Sequence, residues 1–123
     1  MPSIFIQISA LSGLLAVALG AFAAHALKNR LDEYAQGIFQ TAVNYHFIHT
    51  LALLACAILL LHWPKSTALL VAACAFIIGI MLFSGSLYTL SLTGIRGLGA
   101  ITPFGGVAFI VGWTALFLAA YRL

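Results

Sequence analysis

Seven charged side chains, and where they sit, constrain this chain more than anything else in it. Lys28, Arg30, Asp32, Glu33, Lys65, Arg96 and Arg122 leave charge-free runs of 27 residues (1–27), 31 (34–64), 30 (66–95) and 25 (97–121). Each run exceeds the ~20 residues that a helix needs to cross ~30 Å of hydrocarbon, and an open sheet would leave backbone groups unpaired in lipid. The sequence therefore predicts an all-α integral membrane protein: one domain over residues 1–123, with four transmembrane helices in two hairpins. Composition agrees. Only 6% of the residues are charged, whereas a soluble domain of this length carries roughly a quarter to cover its surface. The net charge of +3 comes from scattered residues rather than a basic block, which argues against nucleic acid as a partner and leaves the lipid bilayer as the principal one.

The expected spans are about 4–27, 44–63, 66–92 and 103–122, with an amphipathic segment over 31–43. In that segment Leu31, Tyr34, Ala35, Ile38, Phe39, Ala42 and Val43 recur at helical spacing. It either lies in the interface, bent near Gly37, or continues into helix 2; a single helix from Asp32 to Trp63 would be ~48 Å long and would have to protrude or tilt. Trp63-Pro64-Lys65 supplies an aromatic anchor, a helix breaker and a snorkelling charge. Thr102-Pro103 reads as an N-cap and first-turn pair for helix 4. The Ala-His-Ala at 24–26 resembles a signal-peptidase site, but no positive n-region precedes the apolar run, so a retained first span is expected.

Small residues form two seams. On helix 1, Ser9, Ser12, Gly13, Ala16, Gly20, Ala23 and Ala24 fall within about 60° of one line on a helical wheel. Helix 4 carries Gly105, Ala108, Gly112, Ala115 and Ala119. In lipid such seams let backbones approach, here as contacts within the chain or as a route to a homo-oligomer or a larger membrane complex. Cys56 and Cys74 lie in apolar runs and are read as packing residues rather than a disulfide. The loops after helices 1 and 3 hold Lys28, Arg30 and Arg96 against Lys65 and Arg122 opposite, which places both termini outside the cytoplasm of a plasma (inner) membrane.

Even spans also bring polar residues to one side: His25 from helix 1, Asn44, Tyr45, His46 and His49 from helix 2, Tyr88 and Ser91 from helix 3, then Arg96 and Thr102. Three readings compete for this cluster. His46 and His49, at i and i+3, have the spacing to share a metal or haem iron with His25 as a third ligand, or to bind a quinone or lipid headgroup with it, although no Cys or carboxylate completes a metal set. Histidines and hydroxyls can also relay protons in an oligomeric transporter or channel for ions or small solutes. The third reading has these groups hydrogen-bonding to one another and fastening the hairpins. Arg96 alone suggests a site for a phosphate or lipid headgroup, or a topology-fixing charge. Asp32 and Glu33 are adjacent and so lie on different helical faces, and no Ser-His-acid, H-E-x-x-H or phosphate-loop motif occurs. A non-enzymatic structural or accessory role, with no cofactor, is the expectation.

Four stretches carry a resemblance: G-L-L-A-V-A-L-G-A-F-A-A-H-A-L (13–27), A-V-N-Y-H-F-I-H-T-L-A-L-L (42–54), L-F-S-G-S-L-Y (82–88) and L-G-A-I-T-P-F-G-G (98–106), with Gly112-Trp113 beyond them. The chain resembles the YgdD/YwdK family of small bacterial membrane proteins, a domain-of-unknown-function family with a eukaryotic mitochondrial relative. The resemblance implies a four-span inner-membrane protein with no assigned activity. Its motifs fall on His25, Tyr45, His46, His49, Ser84, Gly85, Tyr88, Thr102, Pro103, Gly105 and Gly106.

Overall fold

A computed structural model describes residues 2–123. Helix α1 (Pro2–His25) leads through a turn into α2 (Glu33–His62), and α3 (Thr67–Gly79) passes through a π-helical turn (Ile80–Ser84) into α4 (Gly85–Thr93). A short 3-10 turn (Arg96–Ala100) precedes α5 (Thr102–Ala120). With α3, the π turn and α4 counted as one span, four helices are long and apolar enough to cross a membrane.

Local chemistry sets most of the boundaries. Asp32 caps α2, its Oδ1 accepting the Ala35 N–H at 2.8 Å, and Glu33 places a second negative charge in the first turn, where the helix dipole favours it. Trp63-Pro64 ends α2, Ser66 caps α3 through the Leu69 N–H at 3.2 Å, and α4 stops at Gly94, whose φ of 73° suits a residue without a Cβ. The amphipathic segment runs without a break into the span, so α2 is one helix of 30 residues, about 45 Å long. That length matches hydrocarbon plus both headgroup layers, and its first turns stand in the headgroups. The expected cap at Thr102 is not made. The helix begins with Thr102 inside it and no side-chain cap bond, and the Thr102 hydroxyl instead meets the Ser86 hydroxyl at 2.6 Å. Bonding across to α4 satisfies the same oxygen and joins two helices.

The π turn was not expected. The Gly85 N–H reaches back five residues to the Ile80 carbonyl, which inserts an extra residue into the span and turns α4 relative to α3. Ser84, fully buried at the end of that turn, donates to the Ala42 carbonyl of α2 at 2.9 Å.

The helices pack as two hairpins, α1 on α2 and α3 on α5, with α2 lying along α3, the π turn and α4. Between them lies a core of Leu53, Cys56, Leu60, Leu69, Phe76 and Phe109. Cys56 is buried there, whereas Cys74 faces outward, and both are free thiols. The small seams are consumed inside the chain. Gly13 and Gly20 admit Thr50 and Val43 of α2, Gly112 admits the Phe76 ring, and Gly105 lies against the Phe83 backbone. Ala24 alone of the α1 seam points away into the exposed surface. Neither seam is therefore free to act as the contact face of an oligomer.

Candidate functional site

Depth decides which of the expected site residues meet. The α1–α2 hairpin is antiparallel, so His46, thirteen residues into α2, comes level with Ser12 of α1 and not with His25. Ser12 and His25 are thirteen residues apart, about 20 Å along the helix. His25 is exposed at the end of α1 and stands outside the cluster, a correction to the expectation that it joins the other histidines.

His46 and His49 also part company. His46 is buried between α1 and α4: its Nε2 lies 3.0 Å from the Ser12 hydroxyl and its Nδ1 lies 2.9 Å from the Tyr88 hydroxyl. Ser12 continues to Thr50 at 2.6 Å, so four side chains from three helices form one hydrogen-bonded chain. His49, 60° further round α2, faces α5. Its Nδ1–H donates to the Tyr45 carbonyl at 2.8 Å, and its Nε2 accepts the Trp113 indole N–H at 3.0 Å. A carbonyl only accepts and an indole only donates, so the partners fix His49 as the neutral Nδ1–H tautomer. Every member of the His46 chain, in contrast, carries a group able either to donate or to accept.

The two imidazoles therefore have all four nitrogens engaged on different sides of α2. Among the described residues no group of three His, Cys, Asp or Glu is placed to hold a metal ion. Shared ligation by His46 and His49, with or without His25, is not what this geometry offers: the two rings face different helices, and a metal bound by one nitrogen of each would have to displace a hydrogen bond at both.

Around His49 the walls are aromatic. Its ring stacks on Phe109 with centroids 3.5 Å apart and planes 9° from parallel, and Tyr45 packs on Phe83 at 4.5 Å. These rings line a cleft between α2 and α5 of about 730 Å³, which also includes the exposed Asn44. Asn44 Oδ1 accepts from Gln40 Nε2 at 2.9 Å and stays on its own helix. Ser91 closes the loop-side end by donating to the Ala35 carbonyl at 2.7 Å, and Arg96 is exposed beyond it.

Four hydrogen bonds thus join the hairpins, and all four engage α2: Ser84 to Ala42, Ser91 to Ala35, His46 to Tyr88 and His49 to Trp113. Among the described residues no buried side-chain nitrogen or oxygen lacks a partner. The structure brings Tyr88, Ser91, Thr102 and both buried histidines into this polar layer, together with Ser12, Ser86 and Trp113, which sequence reasoning did not single out as partners. Trp113 carried a readable signal, because an indole N–H in mid-span must find an acceptor.

A family model described as "Protein of unknown function (DUF423)" matches residues 19–106. UPF0382 membrane protein YwdK of Bacillus subtilis (strain 168) is 46% identical over 120 residues, covering 97% of each chain. UPF0382 membrane protein SSP2132 of Staphylococcus saprophyticus is 42% identical over 98% of each. UPF0382 inner membrane protein YgdD of Escherichia coli (strain K12) is 39% identical over 100% of this chain and 94% of that one. No solved structure matches. With a family model over most of its length and relatives of this identity end to end, the chain belongs to the DUF423 family of membrane proteins of unknown function.

Proposed function

We propose that this protein is a non-enzymatic accessory component of the inner membrane, acting as a compact four-span unit within a homo-oligomer or a larger membrane complex. The observation that carries the reading is the saturation of its polar side chains. Both nitrogens of both buried histidines, and every other buried side-chain polar atom among the described residues, are taken up within the chain. A general base or a metal ligand needs a free lone pair aimed at a reactant, and these groups instead hold helices together. The inner-membrane placement is supported by the name of the Escherichia coli relative.

Association is supported by the uneven use of the helices. In their most apolar stretches α1 and α5 bury 11% and 17% of their residues inside the chain, against 50% for α2 and 39% for the α3–α4 span. The flanks are thus free for neighbours. Photocrosslinkers placed in native membranes at Leu14 of α1 and Phe117 of α5, both more than half exposed, are expected to give one discrete adduct, with a second copy or with one constant protein. Lipid adducts alone at both positions, with a lone monomer by native mass spectrometry in mild detergent, would overturn the proposal.

A further inference from the structure

Arg30 and Arg96 are 66 residues apart in the chain yet line one pocket of about 310 Å³, formed where the α1–α2 turn meets the α4–α5 connection. Two features hold the pocket in shape. The Ser91 hydroxyl ties the end of α4 to the Ala35 carbonyl at 2.7 Å, and Gly94, at φ 73°, turns the chain so that Arg96 comes back beside the start of α2. Arg30 lies three residues before α2, whose 30 residues reach from one headgroup layer to the other, so the pocket stands at headgroup depth.

Its lining is amphipathic in the sense a lipid requires. Two exposed guanidiniums form the polar rim, and Leu31, Ile38 and Leu90 form an apolar wall. Asp32 is the one acid in the lining, and its Oδ1 is engaged with the Ala35 N–H. Two cations against one carboxylate leave a single positive charge, which matches the single negative charge of a phosphodiester. Guanidiniums suit that group because their N–H forks fit phosphate oxygens in pairs.

We propose that this pocket is a site for an anionic phospholipid, its phosphate held between Arg30 and Arg96 and its first acyl methylenes lying on Leu31, Ile38 and Leu90. The occupant is a membrane lipid rather than a free anion, because the rim alone would serve phosphate and the apolar wall would then face nothing.

The test is native mass spectrometry of the full chain in mild detergent, titrated with phosphatidylglycerol and with phosphatidylcholine of the same acyl chains. Phosphatidylglycerol is expected to be retained preferentially. Removing each guanidinium should weaken that retention roughly fivefold, so that Arg30→Gln/Arg96→Gln loses the preference. Lys65→Gln, a basic residue outside this pocket, should keep it. Arg96→Lys should fall between, since it keeps the charge and loses the fork. Equal retention of the two lipids, or undiminished preference in a double variant that unfolds at the wild-type temperature, would overturn the proposal. So would displacement of the lipid by inorganic phosphate at matched concentration, which would mark a free-anion site.

Discussion

Gly105→Ala is expected to lose about 3 kcal/mol of stability or to prevent folding, although it adds one methyl group. A Cβ at this position would meet the backbone nitrogen of Phe83 and stand 2.7 Å from the Phe83 Cα. Backbone cannot rotate aside as the tip of a side chain can, so α5 would have to move away from the π turn, at the upper end of what overpacking costs. Gly106, the next residue, has nothing within 4 Å of its Cβ position, so Gly106→Ala should change stability by no more than about 0.5 kcal/mol. Unfolding of the two variants in mixed micelles, followed by circular dichroism, makes the comparison. Equal stability of the pair would show that α5 does not seat on Phe83 as described.

The second large effect is expected at His49. Truncation to alanine removes a ring stacked 3.5 Å from Phe109 and leaves the Trp113 indole N–H without its acceptor. The cavity and the orphaned donor together should cost about 2–4 kcal/mol. A double-mutant cycle separates the two contributions. Trp113→Phe deletes the donor, so His49→Ala should cost about 1 kcal/mol less in that background, within the range measured for interhelical hydrogen bonds in lipid. Strict additivity would mean that the bond contributes nothing and that the loss at His49 is packing alone.

Charge spacing made the spans legible, since each break between them holds a charged residue, joined by proline or glycine at Pro64-Lys65 and Gly94–Arg96. The polar layer was legible for a related reason: in lipid a hydroxyl or imidazole must find a partner, so Tyr88, Ser91 and Thr102 had to turn inward. Partner identity was less legible. Helical phase gives the side a residue faces but not its depth relative to another helix, which is why His25 was grouped with residues about 20 Å deeper along the hairpin. The π turn left no trace in the pattern because Ile80–Ser84 is uniformly apolar up to its last residue, and only Ser84 reaching Ala42 reveals the altered phase. Small residues mark where helices approach closely, yet small size says nothing about whose helix arrives. Thr50, Val43, Phe76 and Phe83 fill them from the same polypeptide.

The placement of the inter-hairpin bonds bears on biogenesis. The most extensive contacts lie between neighbours in the sequence, α1 with α2 and α3 with α5, so each helical pair can enter the bilayer already closed on itself. The bonds that Ser84 and Ser91 donate to the Ala42 and Ala35 carbonyls, and those between His46 and Tyr88 and between His49 and Trp113, are the ones left to join the two pairs within the lipid plane. Because Trp63–Ser66 contributes no donor or acceptor to that union, what joins the pairs lies in the helices themselves and not in the segment that strings them together.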